Sequence, residues 1–510
     1  LDGMTGTGAG PATRLGDALD AARAKGKTVV AYASNFDNAS WLLASRADEI
    51  LMHPMGRFDA GSLKSGSLYF GDALKRYGVE IVAGQAGDYK SAIEPYTRGD
   101  MSAPAKAALA RVMAQQREAI ISTMARRTRM EPSALIDQLN SWKSAPELSF
   151  DAKMALRLGL VDKTLSAPEF MDAAFGAPGV KPLRNYVALS RYATLKRRDQ
   201  CAADWRRKSV ENNKNSGSIG SLTIEGPIAP GATTAEHAGG ASIVMQIESF
   251  ARSTTNKALL VRIDSPGGDA QSSEQIRSAL ARYRGLGRPV AVSMSTVAAS
   301  GGYWIATAGD ILFAEPTTIT GSIGVFSLRA SAAGLLNQHG VAWDGLSIGG
   351  RAGPGGFAEP VIEAEASRMR VEVERIYEQF VSLVSDARHL DPDTYKEWAE
   401  GRIWQAQDAR AIGLIDKIGG IEGALEWLSE QSGVPRTCLT AARPASSPGS
   451  MLSSFSPVNA LESAIYALRW TSEAERIAHM PPALSMAETF ALSGRAMAFC
   501  TTCDMSEAPF

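Results

Sequence analysis

The chain has few of the residues that mark several classes of protein. Its 510 residues include four cysteines and five histidines, and its net charge is only −1. Four cysteines are too few for a disulfide scaffold in a chain of this length, and they have no histidine neighbours at the spacing of a zinc site. The balanced charge argues against a nucleic-acid partner, and 45% hydrophobic residues argue against a disordered chain. We therefore expect a globular protein without a zinc site, and we assign it no other metal and no cofactor.

The cysteines leave one question of pairing open. They are Cys201, Cys438, Cys500 and Cys503. The last two lie close enough in sequence to form a local bridge in an oxidising compartment, and free thiols at both positions are an equal alternative.

The main feature of the sequence is a long internal repeat. Residues 41–54, WLLASRADEILMHP, recur at 303–316 as YWIATAGDILFAEP, so that Asp48 falls on Asp310 at an offset of 262 residues. Further along, GLVDK at 159–163 recurs as GLIDK at 413–417. A period of this length indicates two tandem copies of one domain, because solenoid repeats are only about 20 to 50 residues long.

Each copy alternates apolar runs with helical stretches. In the second copy, residues 258–263 (ALLVRI) and 290–294 (VAVSM) predict buried strands, and residues 272–283 between them predict an amphipathic helix. Strands that alternate with helices form right-handed βαβ units and a mainly parallel sheet. The predicted fold class is α/β, in duplicate.

Composition suggests four segments. The first copy covers residues 1–175, a linker rich in proline, basic residues and asparagine covers 176–217, the second copy covers 218–432, and a C-terminal extension covers 433–510. We interpret the basic run in the linker as a solvated connection, with contact to an anionic surface as the alternative.

The first copy starts late in its domain. At the offset of 262, Leu1 falls on Ile263, which ends a predicted core strand, so the counterpart of residues 217–262 is absent from the first copy. The chain also does not begin with methionine. We interpret it as a fragment of a longer protein, truncated at the start of its first copy. The lack of a signal peptide or of an 18-residue apolar run therefore says nothing about localisation.

Three turns of small residues follow predicted strands of the second copy. They are residues 264–268 (DSPGG), 298–304 (AASGGYW) and 320–325 (TGSIGV). Paired glycines let backbone N–H groups approach a ligand, as an oxyanion hole requires, and small neighbours leave a serine hydroxyl open. Each turn alone is usually an N-cap or a tight turn. Within one βαβ array, however, they can converge at the carboxyl ends of neighbouring strands.

A serine nucleophile needs a base, and the five histidines do not supply one. None of them, His53, His237, His339, His389 or His479, sits in a glycine-framed turn beside an acidic partner. The other candidate base is a lysine.

Comparison of the two copies points to that lysine. Ser300 falls on Asn38 in the first copy, while Lys90 falls on Ala352 in the second. Each copy therefore retains one half of a candidate Ser/Lys dyad. A lysine base must be neutral, so its pKa must fall from about 10.4 toward neutrality. Burial at a domain interface, with nearby Asp88 and Glu94 pointing elsewhere, would lower it.

Four ordered motifs resemble the family of signal peptide peptidase A, also called protease IV, in its long, duplicated bacterial form. They are residues 87–102 (GDYKSAIEPYTRGDMS), 264–270 (DSPGGDA), 295–306 (STVAASGGYWIA) and 320–325 (TGSIGV). The resemblance covers the chain from Leu1 to beyond residue 420. It implies a ClpP/crotonase-like fold, built of repeated ββα units, in each copy.

The resemblance also implies an activity and its residues. The activity is that of a serine endopeptidase with Ser300 as the nucleophile and Lys90 as the general base. Ser322 would orient the lysine amine, and the backbone N–H groups of Gly268 and Gly301 would form the oxyanion hole.

Family members degrade cleaved signal peptides and similar extended apolar peptides. They are implied to be homotetramers at the periplasmic face of the bacterial inner membrane. The N-terminal membrane anchor of the family is missing from this chain.

Two alternatives remain at this point. A catalytically inactive, membrane-associated scaffold of the same fold would most readily show substitution of Ser300, Lys90 or a glycine of the hole, and all are present. A crotonase-type acyl-CoA enzyme shares the fold and the paired backbone amides, and it uses carboxylates as acid and base. The turn beside the expected hole offers a serine and no suitable glutamate.

Overall fold

The computed structural model describes residues 1, 9–141, 150–175, 201, 203–204, 217–346, 348, 356–442 and 497–499. The helices are α1 (Ala9–Ala24), α2 (Asn38–Ala44), α3 (Gly71–Arg76), α4 (Glu94–Thr97), α5 (Ala103–Thr128), α6 (Pro132–Ser141), α7 (Ala152–Arg157), α8 (Ala167–Phe175), α9 (Gly240–Arg252), α10 (Ala270–Arg284), α11 (Gly301–Ala306), α12 (Ala333–Gln338), α13 (Glu363–Arg388), α14 (Tyr395–Trp398), α15 (Ala406–Ala411) and α16 (Ile421–Ser432). Two 3₁₀ helices cover Ser91–Ile93 and Pro392–Thr394.

The strands of the first copy are β1 (Val30–Ala33), β2 (Glu49–Met52), β3 (Arg57–Phe58), β4 (Glu80–Ala86), β5 (Phe150–Asp151) and β6 (Lys163–Thr164). Those that follow are β7 (Ser218–Glu225), β8 (Ile228–Ala229), β9 (Ala238–Gly239), β10 (Asn256–Ser265), β11 (Gly267–Asp269), β12 (Val290–Ala299), β13 (Ile311–Ala314), β14 (Ile319–Gly321), β15 (Val325–Ser331), β16 (Ile403–Gln405), β17 (Lys417–Ile418), β18 (Leu439–Ala441) and β19 (Met497–Phe499).

The second copy is built on a mainly parallel sheet with the order β16-β14-β12-β10-β7-β18, and β13 and β17 extend it beside β12. Helices cover both faces. Val261 of β10 packs in the same core cluster as Leu280 of α10. Its neighbour Leu260 packs on the other face with Leu428 of α16. A strand buried on both faces explains the continuous apolar run in the sequence.

The predicted elements of the second copy are confirmed. The apolar runs at 258–263 and 290–294 lie within β10 and β12, and the predicted helix at 272–283 lies within α10. β10 pairs in parallel with both β7 and β12, and the pair of β14 with β16 is antiparallel. The chain has the predicted α/β fold class.

The first copy repeats part of this plan. Its parallel sheet β1-β2-β6 corresponds to β12-β13-β17. The helices α5 and α13 are both 26 residues long, and each ends at a left-handed residue, Arg129 with φ 56° and His389 with φ 54°. The Leu1 amino group lies 2.6 Å from the Tyr32 carbonyl oxygen, and their counterparts at the offset of 262, Ile263 and Met294, are paired in β10 and β12.

The two copies are joined through a pair of antiparallel strands. β4 of the first copy pairs with β15 of the second over seven residues, from Ala86 opposite Val325 to Glu80 opposite Ser331. This pair belongs to a second sheet with the order β4-β15-β19-β11-β8-β9. The segment after β4 and the segment before β15 therefore meet at one end of the pair. These segments carry Lys90 and Ser322.

A disulfide that the sequence analysis missed joins Cys201 to Cys438, next to the edge strand β18. The predicted alternatives for Cys500 and Cys503 lie outside the described residues. Within the ranges given above, no helix has both the length and the apolar composition needed to cross a lipid bilayer.

Candidate active site

Ser300 lies at a sharp turn between β12 and α11. Its φ of 55° and ψ of −118° are unusual for a residue with a side chain, and such backbone strain clusters at functional sites. The Ser300 N–H donates a 2.8 Å hydrogen bond to the Gly321 carbonyl oxygen at the end of β14. The residue is fully buried. The turn thus fixes the Ser300 hydroxyl at the carboxyl end of the main sheet.

Lys90 reaches this hydroxyl from the first copy. It follows β4 after a turn at Gly87, whose φ is 99°, and it precedes the short 3₁₀ helix. The Lys90 Nζ atom lies 2.5 Å from the Ser300 Oγ atom. It also donates to the Ser322 carbonyl oxygen at 2.9 Å and to the Ser322 hydroxyl at 3.1 Å. The structure brings together the three side chains that the sequence analysis selected.

The environment of Lys90 favours the neutral amine. The side chain is only 1% exposed, and burial lowers the pKa of the Lys90 amine well below its usual range. The nearby carboxylates point elsewhere, since Asp88 is exposed and Glu94 accepts a hydrogen bond from the Ser102 N–H at 2.9 Å. None of the three hydrogen-bond partners of Nζ is a carboxylate.

Ser322 is held in a second strained turn, directly after β14. Its φ is 50°, and its N–H donates to the Arg402 carbonyl oxygen at 2.7 Å. This conformation directs both the carbonyl and the hydroxyl of Ser322 toward the Lys90 amine. Ser322 therefore provides two of the three contacts that hold Nζ in place.

The backbones of Gly268 and Gly301, the residue that follows Ser300, lie close together. A Cβ atom at Gly301 would lie 3.1 Å from the Gly268 nitrogen and 2.5 Å from the Ser273 Oγ. At Gly268, where φ is 152°, a Cβ would lie 2.0 Å from the Ile228 carbonyl oxygen. Only glycine fits at either position without a shift of the surroundings. The arrangement leaves two neighbouring backbone amides, as an oxyanion hole requires.

The carboxylate nearest to these amides in sequence has a structural role. Asp269 is 2% exposed and caps α10, since its Oδ1 accepts hydrogen bonds from the Ser272 N–H and hydroxyl at 2.7 and 2.5 Å. It is therefore not placed as the acid or base of an acyl-CoA enzyme.

A strand that the sequence analysis missed pairs with the strand that contains Gly268. β19 pairs antiparallel with β11, with Ala498 opposite Gly268, and its Met497 pairs with Phe326 of β15. A three-residue strand so far from its partners gives no periodic signal.

The described histidines are not part of this constellation. Neither Ser300 nor Lys90 has a hydrogen bond to His53, His237, His339 or His389, and His479 lies outside the described residues. The turn at residues 399–402, which contacts both the Lys90 and Ser322 segments, was also missed.

A family model and two long matches to known proteins show the family of this chain. Peptidase family S49 matches residues 21–175 and 283–435, together more than half of the chain, and the two matches begin 262 residues apart, which is the offset of the repeat. Protease 4 of Salmonella typhi is 32% identical over 438 residues, which are 84% of this chain and 68% of that protein. Protease 4 of Haemophilus influenzae is 32% identical over 423 residues, which are 81% of this chain and 66% of that protein.

Among solved structures, ClpP1 from Listeria monocytogenes is similar at 16% identity and a TM-score of 0.26, covering 40% of this chain and 94% of that one.

The chain spans about two thirds of the length of the two Protease 4 relatives. The family match to both copies and the identity to these relatives establish that the chain belongs to peptidase family S49 and is a serine-type peptidase.

Proposed function

We propose that the chain is an endopeptidase that uses Ser300 and Lys90 as a catalytic dyad. The observation that carries this proposal is the buried Lys90 amine, which lies 2.5 Å from the Ser300 hydroxyl oxygen and has no carboxylate among its hydrogen-bond partners in the described part of the chain. A neutral amine in that position can accept the hydroxyl proton at physiological pH.

In the proposed mechanism, Lys90 takes the proton of Ser300 as the serine oxygen attacks the peptide carbonyl. The N–H groups of Gly268 and Gly301 stabilise the oxyanion that forms. The Lys90 ammonium then donates its proton to the leaving amine, which completes the acyl-enzyme. Water enters after the amine leaves and gives a proton to Lys90 as its oxygen attacks the ester carbonyl. The Lys90 ammonium then returns this proton to the Ser300 oxygen as the ester bond breaks, which restores the dyad. Ser322 orients the Lys90 amine throughout.

We propose that the substrate binds as an extended strand between β11 and β15. The position of β19 supports this, because it places a chain of the same geometry in antiparallel pairing with β11, with Ala498 opposite Gly268. Strand addition satisfies the backbone of any extended peptide and leaves specificity to side-chain pockets. Cleaved signal peptides and similar apolar segments, the substrates that the family resemblance implies, fit this mode.

The proposed setting is the periplasmic face of the bacterial inner membrane, with an anchor that precedes this chain. The disulfide between Cys201 and Cys438 supports an oxidising compartment.

We also propose a homotetramer. Its support is a set of exposed apolar side chains that includes Leu346, which is 90% exposed, and Ile348, which is 88% exposed, because exposed apolar patches mark interaction sites.

The proposed domain division is 1–175 and 218–432 for the two copies, with 176–217 as linker and 433–510 as extension. The antiparallel pair of β4 and β15 supports a site formed by both copies. In the extension, β18 pairs with β7 of the second copy.

The test is the loss of hydrolysis of a fluorogenic apolar peptide in Ser300→Ala and Lys90→Ala. We expect each variant to lose at least about 1,000-fold in kcat while it keeps the thermal midpoint of a folded protein. A purified Lys90→Ala protein that retained a tenth of the activity would exclude Lys90 as the general base.

A further inference from the structure

A turn of the second copy, residues 399–402, holds the segment that carries Lys90. The Glu400 carbonyl oxygen accepts a 2.8 Å hydrogen bond from the Tyr89 N–H. The Glu400 side chain adds a second contact, because its Oε2 accepts from the Asp88 N–H at 3.1 Å. Two successive N–H groups just before Lys90 are therefore bound by one residue of the other copy.

The same turn also holds the segment that carries Ser322. The Gly401 N–H donates to the Ile323 carbonyl oxygen at 2.7 Å, and the Arg402 carbonyl oxygen accepts from the Ser322 N–H at 2.7 Å. Three consecutive residues thus bind both segments whose side chains meet at the Lys90 amine. Hydrogen bonds on both sides of the turn set the spacing of these two segments.

The turn itself is tightly constrained. Glu400 has a φ of 61°, which is uncommon for a residue with a side chain. A Cβ atom at Gly401 would lie 2.6 Å from the Lys90 nitrogen, so the turn and the Lys90 backbone are in direct contact. A small movement of the turn must therefore move Lys90.

Tyr377 of α13 forms hydrogen bonds with both the side chain and the backbone of Glu400. Its hydroxyl donates to the Glu400 Oε1 at 3.1 Å and lies 3.2 Å from the Glu400 nitrogen, from which it accepts. Burial, together with the negative charge of Glu400, raises the pKa of the Tyr377 hydroxyl far above its usual range. The phenol therefore stays protonated and remains a donor to the carboxylate.

We propose that Glu400 is a positioning residue for the dyad: it sets the place of the Lys90 amine relative to the Ser300 hydroxyl without contacting either. The inference rests on the proposed Ser/Lys function. Its physical basis is the steep dependence of catalysis on geometry, since a displacement of about 1 Å can cost about 100-fold in rate.

The test compares Glu400→Ala with Glu397→Ala, which removes an exposed carboxylate three residues earlier in the chain. We expect Glu400→Ala to lower kcat about 30- to 100-fold and to change KM less than about twofold, because β11 and β15, between which the substrate is proposed to bind, are untouched. Glu397→Ala should match the wild type. Glu400→Gly removes the same side chain and relieves the strain at positive φ, so it separates the carboxylate contacts from backbone strain.

Two further readouts distinguish positioning from a loss of folding. The rate at which a serine-reactive phosphonate labels Ser300 should fall in parallel with kcat. The rise of kcat/KM with pH should also move to higher pH in Glu400→Ala, since a displaced Lys90 is better hydrated and its pKa returns toward the usual value. If Glu400→Ala does not fold, Tyr377→Phe is measured instead. This variant removes the hydroxyl that contacts Glu400 and leaves residues 399–402 unchanged, and it should lower kcat about three- to tenfold.

A kcat for Glu400→Ala or Glu400→Gly within about threefold of Glu397→Ala, with an unshifted pH profile, would overturn the inference. That outcome leaves the dyad intact if Lys90→Ala is inactive in the same assay. Activity retained by Lys90→Ala would instead refute the proposed function, whatever the Glu400 variants do.

Discussion

Replacing Lys90 with methionine should make the protein inactive and, near neutral pH, more stable. The Lys90 amine is completely buried, and burial lowers its pKa in the folded chain. Below the unfolded-state pKa of about 10.4, folding must therefore release a proton or bury a charge, and both reduce stability. Methionine has a similar length and no charge to desolvate.

The sign of the pH dependence follows from proton binding. Between the lowered folded-state pKa of Lys90 and about 10.4, the unfolded chain binds the extra proton, so wild-type stability rises by up to about 1.36 kcal/mol per pH unit. The Lys90→Met protein has no such contribution. The excess stability of Lys90→Met over the wild type should thus be largest below the folded-state pKa of Lys90. It should shrink steadily as pH rises from that pKa to about 10.4.

The assay is the thermal midpoint of the wild type, Lys90→Met and the exposed-lysine control Lys396→Met at pH values from 6 to 9.5. For folding units of 150 to 250 residues, about 1 kcal/mol corresponds to roughly 2 to 4 °C. The difference in thermal midpoint between the wild type and Lys90→Met should narrow as pH rises. The difference in thermal midpoint between the wild type and Lys396→Met should stay constant. A Lys90→Met difference that does not change with pH would refute the lowered pKa and with it the neutral base.

Three other changes test separate parts of the structure. Gly301→Ala should lower kcat about 100- to 1,000-fold in the peptide assay, because the new methyl group would lie 2.5 Å from the Ser273 hydroxyl and displace a proposed oxyanion donor; wild-type kcat would contradict this. Removing residues 491–510, which include β19, should lower KM for a peptide substrate and leave kcat unchanged, because β19 lies in the proposed substrate groove; an unchanged KM would exclude competition by β19. Cys438→Ser should lower the thermal midpoint, because it opens the disulfide, and should leave kcat unchanged; an equal midpoint under non-reducing conditions would show that the disulfide adds no stability.

The fold of each copy was predictable because its signals are local and repeated. The strands β10 and β12 are continuous apolar runs, and the helix α10 between them has a regular amphipathic pattern. Because the copies repeat at an offset of 262 residues, the same order of strands and helices can be assigned to the first copy. There β1 and β2 take the places of β12 and β13. Short-range periodicity was sufficient for these elements.

The joining of the copies was not predictable from such signals. β4 is exposed or partly buried at most of its seven positions, and its register with β15 depends on two segments about 240 residues apart. The positive φ angles of Ser300 and Ser322 could not be predicted from the sequence either, because serine has no preference for positive φ. The disulfide partners, 237 residues apart, could not be chosen from spacing alone.

The division of the proposed dyad between the copies has a physical consequence. An amine is expensive to bury, and Lys90 is buried where the segment after β4 contacts the Ser322 and Glu400 segments of the other copy. On a first copy that had not docked, a solvent-exposed Lys90 would be hydrated and protonated and could not act as a base. The same contact that brings the Lys90 amine to the Ser300 hydroxyl also buries this amine and so lowers its pKa. In the proposed mechanism, assembly of the two copies therefore supplies both the position and the protonation state of the base, and neither copy alone provides an active serine.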